Sequence, residues 1–208
     1  MNKLLLPHHS VSDWDFSPAT SYVLDNGIYV SPPSSLKIQY GGGVTVEKSV
    51  LCRIDAVQCV PEGEIRSWFR SDLSYCGNNF LFRNQAPLGS ANYNNCYLWS
   101  IRKLMARLYR VINGTGSEKY QCAIDYPADE WTHWRTVFWN GENEQGQNAL
   151  AVQLFKEVEG QWVQQGDTYF DTDQLWKNSA TNRMGIGAYN KSGAVYYFDD
   201  TELWIPQA

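Results

Sequence analysis

Turn-forming residues cut this chain into pieces too short for long helices. Asp25-Asn26-Gly27, Ser31-Pro32-Pro33, Gly41-Gly42-Gly43, Pro61-Glu62-Gly63, Asn113-Gly114, Asn140-Gly141 and Glu159-Gly160 each read as a turn or loop. Between them lie short runs rich in β-branched and aromatic side chains, which suit a pleated, half-buried surface. The expected strands are Gly27–Val30, Ser35–Ile38, Ser49–Val57, Gly63–Arg70, Asn79–Arg83, Cys96–Ile101, Leu104–Ile112, Tyr120–Asp125, Trp134–Trp139, Ala149–Val158, Gln161–Gln164, Arg183–Ala188 and Ala194–Ile205. Two hairpins stand out. Leu150–Lys156 returns through Glu159-Gly160 into Trp162-Val163, and Met105–Val111 returns through Asn113-Gly114-Thr115-Gly116 into Tyr120–Ile124. Ser100–Arg110 also fits a local amphipathic helix, but the strand-like segments on both sides favour β. One helical turn is expected near Asp173-Gln174-Leu175-Trp176, with Asp173 as its cap. So many short strands predict an all-β chain, a two-sheet antiparallel β-sandwich or jelly roll. A barrel is the alternative, but this many strands usually split into two sheets.

The 208 residues suit a single domain, expected over 14–205 after an N-terminal tail at 1–13. Apolar residues make 43% and charged residues 19%, the balance of a folding chain. A net charge of −5 with no basic block argues against nucleic acid as a partner. No apolar run is long enough for a membrane span. Leu4–Leu6 is too short for the apolar region of a signal peptide, so the protein is expected to be made in the cytoplasm. The cysteines, at 52, 59, 76, 96 and 122, match no zinc spacing, and five is an odd count. All five are expected to be reduced thiols.

Four segments together resemble the concanavalin A-like lectin/glucanase superfamily, which includes laminin G-like domains. They are Glu64-Ile65-Arg66-Ser67-Trp68-Phe69-Arg70, Leu108-Tyr109-Arg110-Val111-Ile112-Asn113-Gly114-Thr115, Glu130-Trp131-Thr132-His133-Trp134-Arg135-Thr136-Val137, and Tyr197-Phe198-Asp199-Asp200-Thr201-Glu202-Leu203-Trp204. The likeness runs from about Trp14 to Ile205 and implies the sandwich fold. It leaves activity open, because this fold serves lectins, adhesion modules, glycosidases, lyases and viral coat components. The superfamily's hydrolases carry Glu-x-Asp-x-(x)-Glu on one strand, where alternation sets the acids on one face. That pattern is absent here: Glu62-x-Glu64 is followed by Arg66, and Asp200-x-Glu202 lies on the closing strand, where the family has structural acids. With no G-x-S-x-G elbow, and His133 the only histidine besides His8 and His9, no nucleophilic triad is expected, and His133 reads as a structural residue.

The candidate binding residues come from alternation. Arg66, Trp68 and Arg70 share one face of a strand; Leu81 and Arg83, Tyr97 and Trp99, and Arg107 and Tyr109 share faces of others. Aligned side by side, they form an arginine–aromatic trough for a glycan, with rings stacking on the sugar and guanidinium groups bonding its hydroxyls or acids. The other reading makes Trp68 and Trp99 core and the arginines caps of sheet edges. Trp131, Trp134, Trp162, Trp176 and Trp204 read as packing residues. Two readings also stand for Asp199 and Asp200, which alternation sends to opposite faces. One is a structural Ca²⁺ site completed by backbone carbonyls, and the other is acids that are solvated or bonded to nearby backbone. No other cofactor is expected. The sequence therefore leads to a non-catalytic lectin-like sandwich whose partner is a glycan, a polysaccharide or a protein surface. The alternatives are a structural virion component, carried in a virus particle, and a polysaccharide hydrolase or lyase.

Overall fold

The computed structural model describes residues 2–5, 14–16, 21–32, 34–39, 48–52, 61–72, 77–87, 93–179, 181–189 and 194–205. Among them every regular element is a strand, and the strands form two sheets. A nine-stranded sheet runs β13 (Gln161–Gln164), β12 (Asn148–Val158), β11 (Thr132–Glu142), β6 (Gly63–Ser71), β16 (Val195–Ile205), β4 (Ser35–Gln39), β3 (Ser21–Asp25). Beside it, β1 (Asn2–Leu5) pairs with β16 and β14 (Tyr169–Asp171) with β12. A seven-stranded sheet runs β10 (Thr115–Ala123), β9 (Met105–Ile112), β8 (Cys96–Arg102), β7 (Gly77–Asn84), β15 (Arg183–Tyr189), β5 (Lys48–Cys52), β2 (Trp14–Phe16). All pairings are antiparallel. The chain is the expected all-β, two-sheet antiparallel sandwich.

Period-two alternation decides which side of each strand is buried. In β6, Ile65, Ser67 and Phe69 are buried while Arg66, Trp68 and Arg70 face outward. Phe80 and Phe82 of β7, Tyr97, Trp99 and Ile101 of β8, and Ala106 and Leu108 of β9 join the same core as Trp134, Phe138, Leu150 and Val152 from the other sheet. Aromatic contacts lock the layers together. Phe69 lies 4.8 Å from Phe80 across the sandwich, and Phe82 lies 4.7 Å from Phe138.

Several local expectations change. Ser100–Arg110 is the β8–β9 hairpin, turning at Lys103-Leu104. The β9–β10 turn is tighter than expected, since Thr115 already pairs with Ile112 and only Asn113-Gly114 makes the turn. Both turn residues have positive φ (51° and 77°), as a type I′ hairpin requires. Gly27–Val30 is not a strand; β3 ends just before it. Asp25 Oδ1 accepts the N–H groups of Gly27 and Ile28, and Asp199 Oδ2 accepts those of Val30 and Ser31, so these donors are not available to a ladder. The helical turn expected near Asp173 is a run of single turns, with Gln174 and Trp176 at positive φ. Its cap is Asp171, which accepts the N–H of Asp173. Within the expected tail, Asn2–Leu5 pairs with Glu202–Ile205.

Cys96 and Cys122 are buried thiols that form no disulfide, and burial pushes the Cys122 thiol up to about 11. Cys59 and Cys76, the side chain of Cys52, residues 53–57 of the strand expected at Ser49–Val57, Gly41–Gly43, and His8 and His9 lie outside the described residues.

Candidate functional site

The eight residues of the expected trough fall on two sheets and in three environments. Tyr97 and Trp99 are fully buried in the core between the sheets. Arg83 is also fully buried. Its φ of 47° takes it off the alternation of β7, and its guanidinium donates to Pro61 O, Leu175 O and Asn140 Oδ1. Arg66, Trp68 and Arg70 line the outward face of the nine-stranded sheet, and Arg107 and Tyr109 the outward face of the seven-stranded sheet. The single trough is therefore corrected, because its members lie on opposite sides of the sandwich or inside it.

On the nine-stranded sheet, register brings Trp68 opposite His133 and Glu157 opposite Trp162, and a side-chain bond joins His133 to Glu157. Trp68 stacks on His133 with centroids 4.5 Å apart, and the Trp162 ring lies 4.8 Å from the same imidazole. Arg66 lies over Trp204 and Trp162, and Arg135 over Phe155 and Trp162. Glu64, only 2% exposed, bonds both guanidinium groups, and Glu202 sits 3.8 Å from Arg66. Ring faces and charges here are used largely on one another, so this layer braces the sheet. His133 belongs to the brace: Nδ1 bonds Glu157, Nε2 is buried, and burial lowers its pKa against the opposing effect of Glu157. Trp162 and Trp204 thus pack as expected, on the outer face, while Trp134 packs in the core.

The seven-stranded sheet presents a different face. Register aligns Gly187, Asn79, Ser100, Arg107 and Gln121 in one cross-strand row, and Gly185, Leu81, Leu98 and Tyr109 in the next. Leu81 and Leu98 form a small apolar cluster with Ala86, Cys96 and Val111, against which Tyr109 packs. The polar row is graded in exposure. Asn79 and Ser100 are buried at 2% and 1%, while the Arg107 side chain is 38% exposed and sits 3.3 Å from Glu118. Gln121 is exposed. The sequence reading found Arg107 and Tyr109 but missed Asn79, Ser100 and Gln121. The available signal was alternation: Asn79 and Ser100 fall out of phase with Phe80, Phe82, Trp99 and Ile101.

Asp199 and Asp200 do not face opposite ways. A bulge between Asp199 and Glu202, with Asp200 at φ 42°, turns both toward one loop. Asp199 accepts the N–H groups of Val30, Ser31 and Asp200, and Asp200 accepts the Ser31 hydroxyl. Burial raises the Asp199 pKa against these bonds. Three N–H dipoles with their positive ends on one carboxylate do not fit a Ca²⁺ ligand set. Among the described residues, no group of three His, Cys, Asp or Glu side chains is placed to hold a metal. The expected result is that Asp199→Asn lowers unfolding free energy by roughly 1.5–3 kcal/mol, the scale of a charged hydrogen bond. Thermal melts should show the same loss in EDTA and in millimolar Ca²⁺; a loss confined to Ca²⁺ buffer would restore the metal reading.

No model of a known protein family and no curated protein matches the sequence. Solved structures do match over nearly the whole chain. The exoplasmic/lumenal domain of VIP36, in a Ca²⁺/Man3GlcNAc-bound form, superposes with a TM-score of 0.61 at 12% identity, covering 99% of this chain and 89% of that one. Lectin II from Ulex europaeus gives 0.60 at 9% identity, with 98% and 97% covered. A protein of unknown function from Shewanella oneidensis, SO2946, gives 0.62 at 13% identity, with 99% and 87% covered. The fold is therefore that of the concanavalin A-like lectins, as the sequence resemblance implied.

Proposed function

We propose that this chain is a non-catalytic carbohydrate-binding sandwich that holds a saccharide on the outward face of its seven-stranded sheet, around Arg107 and Tyr109. The observation that carries this reading is the polar cross-strand row, Gly187–Asn79–Ser100–Arg107–Gln121. It sets a carboxamide, a hydroxyl, a guanidinium and a second carboxamide side by side, next to a tyrosine ring. A sugar presents the complement, a rim of hydroxyls around apolar C–H faces. Fold supports the reading without deciding it: one neighbour is described bound to Man3GlcNAc, and another lectin to galactose. Calcium enters the proposal in no role at Asp199.

The state of the acids supports a binding role over hydrolysis. Retaining hydrolysis needs two carboxyl groups about 5–5.5 Å apart, one of them held protonated. Glu64 is taken by Arg66 and Arg135, Asp171 by Arg110 and Tyr97, and Glu118 by Arg107. Asp199, whose pKa is raised, is sealed by backbone N–H groups.

A printed glycan array read with the wild-type chain and Arg107→Ala tests the proposal. Loss of a charged hydrogen bond, about 1.5–3 kcal/mol, predicts a drop of roughly tenfold or more in affinity on the glycans that the wild type binds. Full affinity in both Arg107→Ala and Tyr109→Ala moves the saccharide elsewhere on the molecule. Failure to bind any glycan, together with copurification with a particle at fixed stoichiometry, replaces this reading with a structural virion component. Release of reducing or unsaturated sugar ends from a bound polysaccharide makes the chain an enzyme.

A further inference from the structure

We infer that Asn79 is the specificity-determining acceptor of this face and selects a neutral saccharide through a hydroxyl or amide N–H donor. The inference rests on the carbohydrate-binding reading above and sharpens it. Asn79 lies on β7 between Asn78 and Phe80, whose side chains turn inward: Asn78 donates to Tyr126 OH in the core, and Phe80 is fully buried there. Asn79 therefore points outward with Leu81, which belongs to the separate outer cluster. Its carbonyl oxygen, Oδ1, is buried and has no hydrogen-bond partner, and the residue is 2% exposed.

An orphaned acceptor at this depth is costly, on the scale of the full desolvation of the group. Native proteins retain few such groups, and each calls for a reason. The surroundings supply one. Gly77, two residues earlier on the same face, carries no side chain, and three polar atoms gather over it. A Cβ built there would stand 2.4 Å from Ser100 Oγ, 3.3 Å from Arg102 Nε and 3.4 Å from Asn79 Oδ1. Arg102 Nε donates to Ser100 Oγ at 3.1 Å, so the bond within this group bypasses Asn79. On the other side of Asn79 the neighbouring strand offers Gly187, again with no side chain. Asn79 thus has a glycine two residues away on its own strand and another opposite it in the polar row, with Ser100 and then Arg107 following on the adjacent strands.

The chemistry of the orphan atom sets the ligand class. A carbonyl oxygen accepts and cannot donate, so it is completed by a hydroxyl or an amide N–H. A carboxylate or sulfate offers no proton and places negative charge against the oxygen. Arg107, the cation next in the row, is already matched by Glu118 at 3.3 Å. Both features favour neutral, hydroxyl-rich sugars over uronic acids or sulfated chains.

The deciding experiment pairs a printed array of neutral and anionic glycans with thermal unfolding, using the wild type, Asn79→Ala and Asn79→Ser. The expected result has three parts. Wild type binds neutral glycans. Asn79→Ala binds the same glycans at least tenfold more weakly, with Asn79→Ser, which keeps an acceptor, between the two. Neither variant melts below the wild type, because deleting an unsatisfied buried acceptor removes a cost. A fall in Tm of more than about 4 °C in both variants shows a structural partner for Oδ1 and overturns the inference. Unchanged glycan affinity in Asn79→Ala overturns it while leaving the carbohydrate reading in place. Binding confined to anionic glycans overturns the choice of ligand class. Absence of any glycan binding by the wild type overturns both.

Discussion

Trp99→Ala should remove about 3–5 kcal/mol of unfolding free energy, the range for deleting a large aromatic from a packed interior. Trp99 is fully buried on the inward face of β8, beside Phe80 of β7 and Leu108 of β9 in register, and meets Tyr120 edge-on at 6.1 Å. Neighbours pinned in three other strands of the same sheet cannot collapse to fill the space. Chemical denaturation should show a lower midpoint with an unchanged slope against denaturant, the sign of lost stability without a change in the surface exposed. At temperatures where the variant remains folded, its glycan profile should match that of the wild type. A variant of normal stability and altered glycan binding would instead return Trp99 to a ligand surface. Arg107→Ala is the natural contrast. It is expected to alter binding and to leave stability nearly unchanged, because its ion pair with Glu118 is solvent-exposed on both sides.

The contrast shows which part of the site the sequence reveals. Alternation along one strand is local, so Arg66, Trp68 and Arg70 were rightly grouped, as were Arg107 and Tyr109. Which strands lie side by side is a long-range matter. β6 sits between β11 and β16, and β7 between β8 and β15, so β6 and β7, though consecutive, belong to opposite sheets. A hairpin-by-hairpin reading joins them and builds one trough from two unrelated faces. Alternation also leaves unsaid which face is inward. Arginine at 66 and 70 marks the outward face of β6, but Tyr97 and Trp99 suit either a core or a binding surface, and here they are core.

Bulges account for the other misses. A residue at positive φ breaks the period, and no local signal announces it when the residue is not glycine. Asp200 at φ 42° brings Asp199 and Asp200 onto one loop, where adjacent strand residues were expected to diverge. The same loop explains why Gly27–Val30 is not a strand: Asp25 and Asp199 draw its N–H groups away from a ladder, and the second of these lies at the far end of the sequence. β14, only three residues long and held by its pairing with β12, has too little pattern of its own to be read.

Arg83 is the sharpest case, and Arg83→Met should cost on the order of 4 kcal/mol, within the range for breaking a buried charged network. Its φ of 47°, next to the register shift between β7 and β15, swings the side chain away from the outward face. There the guanidinium donates to Pro61 O just before β6, to Leu175 O in the turn after β14, and to Asn140 Oδ1 of β11. One residue of the seven-stranded sheet thereby holds three segments associated with the other sheet. Asn140 extends the network by donating to Glu62 at 2.6 Å. Burial pulls the Arg83 pKa down, opposed by nearby Tyr97, Glu62 and Asp171, yet an arginine stays charged in this range. Methionine matches its length but leaves two carbonyls and an amide oxygen without donors, each a loss of about 1–3 kcal/mol if none finds water. Lysine keeps the charge and loses the planar fork, so Arg83→Lys should fall between wild type and methionine. Urea unfolding of the three proteins checks the order. A methionine variant within about 1 kcal/mol of the wild type would mean that these acceptors find other donors and that the sheets do not rely on Arg83. Glycan binding supplies the second readout. Below its melting temperature Arg83→Met should bind as the wild type does, because the guanidinium is spent between the sheets, and a selective loss of binding would place it back among the ligand contacts.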